Sequence, residues 1–339
     1  MQTSAKKNRS NKYEAARILA AFIIILNHIN QDAALNGAGR VFRFNAFATG
    51  LFHMGGKFGV NVFVIISAWF LCGQAFKAKR IWRVLTQVVF YAVAGNVAAM
   101  IAGGRLLSAR EFLMAFTYWF PFAYIVMLLV SPLLNRLLEK PKQLRLALAA
   151  GGALFLALFL LRYLAKDSRI LRLLCLEHVI GPVWFCWLYL VTACVKKANL
   201  IRPSGKTLYL AGGIAAYFLM YLLVKRFNNW AARDMFSPVC ALSALLVFAF
   251  FESLRMKDHP LVNTLATATF GTYLLQCHNN LAPIVNRFLN SAGWLSSPLY
   301  LLFCILTAAG FFAAALGITR LLDFLRNRLP APFSATGRT

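Results

Sequence analysis

Glu14-Ala-Ala-Arg-Ile-Leu-Ala-Ala-Phe-Ile-Ile-Ile-Leu-Asn-His28 is the stretch from which the rest of the chain is read. Arg17 and His28 are eleven positions apart. At 3.6 residues per turn that is close to three turns, so a helix puts both on one face, about 16 Å apart along its axis. Only Asn27 is polar between them, and Tyr13 to Ile29 is near the short end of bilayer-span length. An ionisable group inside a membrane span is costly to solvate, which makes Arg17 and His28 functional candidates by default. The plainer reading is a snorkelling Arg17 and an interfacial His28. The sharper one needs a substrate with charge near Arg17 and a reaction near His28, whose neutral imidazole can take a proton from a hydroxyl.

Working outward, composition agrees with a membrane protein. The 339 residues are 60% hydrophobic and 14% charged, against roughly a quarter charged in soluble domains, and the mean hydropathy is +0.65. Ten apolar runs follow the basic tail 1–12, at about 13–29, 59–76, 85–102, 118–137, 144–164, 181–195, 208–224, 238–251, 265–285 and 298–318. They predict an all-α polytopic bundle over 13–325 and a C-terminal tail, 326–339. A short interfacial helix is expected from Ser108, and Pro121 and Pro132 should bound or kink the fourth span. No cleavage site follows His28, so the first span reads as retained rather than as a signal peptide.

The net charge of +26 would suggest nucleic acid in a soluble protein, but no nucleic-acid module is recognisable. Ten spans put both termini on one side, which carries 23 of the 36 Lys and Arg against 13 on the other, so the termini are expected in the cytoplasm. Seven scattered cysteines without paired spacing point to neither a disulfide framework nor a metal site. Asp and Glu are missing from the span centres, which argues against an ion-coupled pump. Lys77, Lys79, Arg80 and Arg83 after the second span are either a topological basic turn or a dock for the phosphates of a donor. Among the remaining polar and aromatic residues, Asn61, Ser67, Asn96, Asn135, Tyr273, Gln276 and His278 suit interhelical hydrogen bonds. Trp119, Phe120, Tyr124, Trp184 and Trp187 suit an aromatic belt or a sugar-stacking wall.

These motifs together resemble the family-3 membrane acyltransferases, multi-spanning bacterial enzymes that O-acylate surface glycans. The arginine and histidine of the first span, ten residues between them, match Arg17 and His28. Gly59-Val-Asn-Val-Phe-Val-Ile-Ile-Ser-Ala-Trp-Phe-Leu71 resembles the second-span signature, followed by the basic turn at Arg80 and Arg83. Thr117-Tyr-Trp-Phe and Leu129-Val-Ser-Pro-Leu-Leu-Asn135 resemble the fourth span of the exopolysaccharide and capsule subgroup. Thr269-Phe-Gly-Thr-Tyr-Leu-Leu-Gln-Cys-His278 resembles the ninth-span motif. Two positions depart from the pattern. Ala68 follows Ser67 where glycine is usual, and Gln276 occupies the ninth-span histidine position, with His278 two residues later.

The resemblance implies the stand-alone form of the family, in the bacterial inner membrane. It implies a cytoplasmic acyl-CoA donor, most often acetyl-CoA, a polysaccharide or lipid-linked glycan acceptor, and no metal. His28 and Arg17 are then the expected catalytic pair, with Arg17, Arg80 and Arg83 on the nucleotide and Ser67, Trp119, Tyr273, Gln276 and His278 as substrate contacts. A glycan-precursor flippase, or a non-catalytic partner of a glycan assembly complex, would share the spans and basic loops. Acyl-CoA binding separates the flippase from the transferase.

Overall fold

The computed structural model describes residues 10–31, 43–165, 173 and 177–328. The expected tails 1–12 and 326–339 lie mostly outside these. Every regular element among the described residues is helical. In chain order they are α1 (Asn11–Ile29), α2 (Arg43–His53), α3 (Gly55–Leu71), α4 (Ala78–Gly103), α5 (Ala109–Met114), α6 (Trp119–Leu137), α7 (Pro141–Leu164), α8 (Glu177–Lys197), α9 (Lys206–Phe227), α10 (Pro238–Ser253), α11 (Pro260–Gln276), α12 (Ala282–Leu289) and α13 (Tyr300–Arg328).

Among the described residues, eight segments are long and apolar enough to cross a membrane, with α2 and α3 counted as one. Two expected spans fall outside that set. α1 carries Lys12, Glu14 and Arg17 in its first two turns, and α11 is only 17 residues long. Both are nevertheless central, because α1 packs chiefly against α3 and α11. Side-chain contacts show the alternation of an up-and-down bundle. At the Arg17 end, Lys12 meets Glu252, Asn135 accepts from Gly73 N–H, and Lys197 reaches the Leu138 carbonyl. At the His28 end, Asn30 meets Tyr300, Lys57 meets Glu177 and Arg162 meets Asp234.

Local chemistry explains the departures from expectation. The second span, expected at 59–76, starts at Gly55, because Gly55, Gly56 and Gly59 lie where α3 crosses α1. A Cβ on Gly59 would lie 2.8 Å from the Ala20 carbonyl oxygen, so only glycine permits the approach. Pro132 lies inside α6 without breaking it, since the Ser131 hydroxyl donates to Leu128 O, the carbonyl that Pro132 cannot serve. The ninth span, expected unbroken over 265–285, is divided between α11 and α12. Pro283 lacks the N–H that would carry a helix through, and the intervening turn is tied sideways instead. There Asn280 donates to Asn96 Oδ1 and to Glu111 O, both at 2.8 Å, and Asn279 donates to Thr117 Oγ1.

The short helix α5 that receives these bonds opens with a reciprocal cap between Ser108 and Glu111. The Arg105 guanidinium, and then the Ser108 N–H and hydroxyl, hold the Glu111 carboxyl down to about 2. α7 faces outward along nearly its whole length, burying only Phe155 against Trp184 and Phe236.

Candidate functional site

α1 begins at Asn11, whose side-chain amide donates to Lys257 O, while Lys12 pairs with Glu252. These ties fix the start of the helix against the α10–α11 turn. One turn on, Glu14 is 3% exposed and its Oε1 accepts from Arg17 Nη1 at 2.8 Å. The other carboxylate oxygen of Glu14 has no partner. A buried carboxylate needs a cation, so the pair fixes Arg17 while leaving most of its guanidinium donors uncommitted.

Arg17 lines a cavity of about 980 Å³ bounded by α1, α3, α4, α6, α11 and α13. Its mouth carries Arg17, Lys79, Arg83 and Arg326, with Asp323 the one acid. Deeper, the walls are Ile24, Val60, Phe63, Phe120, Phe270 and Tyr273. Four cations at a rim and aromatic or aliphatic walls below suit a ligand with an anionic head and an apolar arm.

Of the residues singled out from sequence, Arg17, Ser67, Lys79, Arg83, Phe120, Tyr124 and Tyr273 share this cavity. Arg80 does not line it: its guanidinium donates to the Ala75 carbonyl at 3.2 Å, and Lys79 stands at the rim instead. Arg326 was not legible in sequence. It comes from the last turn of α13 and donates to Thr86 on α4, which is a tertiary contact without a local signal.

His28 lies beyond the cavity lining. Its ring nitrogens lie 3.8 and 3.9 Å from the sulfur of Cys277, the C-cap residue of α11. Lys57 and Arg233 are close enough to act on it electrostatically. Lys57 is itself held by Glu177 at 2.7 Å and lies 4.0 Å over the Trp119 ring, so Trp119 belongs to the His28 end rather than to the cavity. Gln276 is 6% exposed, with neither amide atom hydrogen-bonded.

His278, expected among the substrate contacts, lies outside the cavity lining. It is fully buried: Nε2–H donates to Ala92 O at 3.0 Å, and Nδ1 accepts from the N–H groups of Asn280 and Leu281. With both nitrogens committed to backbone, the ring locks the α11–α12 turn onto α4. It fits only because Gly95 leaves room for it, and its wall is helix rather than cavity.

The arrangement can hold an anionic group at the rim, with the Tyr273 phenol at the deep end of the cavity and the His28 imidazole and Cys277 thiol one helical turn beyond that lining. Among the described residues no cluster suited to a metal ion is found. Comparison with known proteins gives one family, acyltransferase family 3, whose model is described as an acyltransferase domain and matches residues 11–316. No curated protein and no solved structure matches the chain.

Proposed function

This chain belongs to acyltransferase family 3, and on that premise we propose that it moves an acyl group from acyl-CoA to a hydroxyl of a cell-surface polysaccharide or lipid-linked glycan. Acetyl is the expected group. The observation that carries the reading is the cavity, with its rim of Arg17, Lys79, Arg83 and Arg326 and its apolar depth.

Guanidinium and ammonium donors at the rim recognise the phosphates of the nucleotide, Arg in bidentate fashion and Lys as a point charge. The excess of Lys and Arg at that end orients it toward the cytoplasm, where acyl-CoA is available, and the setting is a bacterial inner membrane. The arm then runs along the α1 face that joins Arg17 to His28, about 16 Å for eleven residues of helix. His28 acts as general base on the acceptor hydroxyl, whose oxygen attacks the thioester carbonyl while the proton passes to the imidazole. Lys57, held by Glu177, and Arg233, which donates to His53 O, place positive charge at the His28 end of the bundle. Trp119, held flat under Lys57, offers a ring face to a sugar at the same end.

The test is transfer of label from radiolabelled acetyl-CoA to extracted surface glycan, using membranes with wild type, Arg17→Ala and His28→Ala at matched levels. His28→Ala should lower transfer by about 100- to 10,000-fold, the usual worth of a positioned base. Arg17→Ala should raise KM for the donor. Full transfer by His28→Ala would overturn the assignment of the base. A wild type that neither binds nor consumes acyl-CoA would move the reading to a glycan-precursor flippase.

A further inference from the structure

The deepest cavity residues on α1 and α11 are Ile24 and Tyr273. Counting one turn further along each helix, four residues and about 6 Å, gives His28 and Cys277. These two side chains touch, the sulfur lying 3.8 Å from Nε2 and 3.9 Å from Nδ1. Both are only partly buried, unlike the fully enclosed Cys240 and Cys304. Near-equal distances to both nitrogens mean that a small ring rotation brings either one into line with the thiol.

A second observation points to a ligand at this place. Tyr273 is 5% exposed and lines the cavity, and its hydroxyl lies beside the Phe120 backbone and the Cys277 thiol, loosely enough that neither contact reaches good hydrogen-bond geometry. A buried phenol O–H without a well-placed acceptor is costly, and an arriving carbonyl oxygen would satisfy it.

From this geometry we infer that Cys277 is the acyl carrier of the reaction, with His28 as its base and the Tyr273 hydroxyl as donor to the thioester carbonyl oxygen. The inference rests on the acyl-CoA reading above and deepens it. In the first step the Cys277 thiol gives its proton to His28, and the sulfur attacks the acyl carbonyl of the donor. The new carbon–sulfur bond forms, the bond to the coenzyme sulfur breaks, and the departing thiolate takes the proton from His28. In the second step the acceptor hydroxyl gives its proton to His28 and its oxygen attacks the Cys277 thioester. The ester leaves, and the Cys277 thiolate recovers the proton.

Exchange of one thioester for another is nearly isoenergetic, so the acyl group stays activated after the coenzyme has gone. The relay lets donor and acceptor use opposite ends of the bundle without meeting. Ser67 is poorly placed for this task. It lies on the turn of α3 toward the Arg17 end, four residues beyond Phe63, far from His28.

The experiment uses the purified full chain in lipid nanodiscs, with [14C]acetyl-CoA and no acceptor, quenched in acid after one turnover. The expected result is label on the protein, mapped to Cys277 by mass spectrometry, released by neutral hydroxylamine and absent from Cys277→Ala. Cys277→Ser, nearly isosteric, should hold its label as an ester that resists neutral hydroxylamine and transfers slowly. Transfer to glycan by wild type without protein label, or by Cys277→Ala at the wild-type rate, would overturn the relay and leave the transferase standing. A wild type that does not consume acetyl-CoA would overturn both.

Discussion

Residues differ in how far their type reveals their role, and the two histidines near the end of the polar face show why. His28 stood out in the sequence because an ionisable group eleven positions after an arginine on an apolar helix is costly to solvate, although an interfacial histidine would read the same way. His278 looked equivalent in composition, but its ring is consumed by the Ala92 carbonyl and two backbone N–H groups. Only a tertiary contact reveals that. Glu14 is the complementary case: nothing in the sequence assigns it a role, and burial turns it into the fixed partner of Arg17. Its consequence is an asymmetry in stability. Arg17→Ala leaves a buried carboxylate without a cation and should cost about 2 kcal/mol, below the full value for a buried pair because Arg17 is a quarter exposed. Glu14→Gln should cost less, and the double variant Glu14→Gln/Arg17→Ala should regain most of the melting temperature but none of the donor affinity. Thermal unfolding and donor titration of the three variants check this. Equal melting temperatures for Arg17→Ala and the double variant would refute it.

Elements were readable as apolar runs, because a bilayer demands length and hydropathy that a sequence displays openly. Their edges were not. The start of α3 at Gly55 depends on what α1 presents to it, and the break after Gln276 depends on the hydrogen bonds of Asn279 and Asn280 to α4 and α5. α2 was missed, since 30–58 reads as the connection between the first two expected spans, whereas Arg43–His53 is helical, with Asn45 donating to Leu295 O and Ser297 O. The α1–α3 crossing is the contact on which the site depends, for it sets the depth at which α1 presents Arg17 and His28. Gly59→Val pushes side-chain atoms against the Ala20 carbonyl and Ile24 and should destabilise by about 1–3 kcal/mol, the range for overpacking. Melting in detergent measures that loss. A change of similar volume at Gly310, where nothing lies within contact distance, should leave the melting temperature unmoved.

At the scale of the whole molecule, the cavity is what sequence conceals most. Six helices contribute to it, and its cationic rim joins Arg17 to Arg326, more than three hundred residues apart in the chain. Basic residues in a turn announce only topology, so Arg80 and Lys79 could not be told apart without the fold. Arg326→Gln should raise KM for acetyl-CoA about three- to tenfold, weaken its dependence on ionic strength and leave kcat close to wild type. Initial rates at two salt concentrations measure both effects, and an unchanged KM would remove Arg326 from the dock. The same long-range closure governs how the protein is made. α1 is synthesised first, yet Lys12 and Asn11 find their partners in 252–259, and α11, against which α1 packs, ends at Gln276. At roughly 5–20 residues per second, the first helix waits on the order of tens of seconds for α11 and for the partners of Asn11 and Lys12, although Glu14 and Arg17 pair within it and α3 follows sooner. Throughout that interval it must be sheltered by the insertion machinery or by lipid headgroups. Biogenesis therefore turns on the polar start of the first helix.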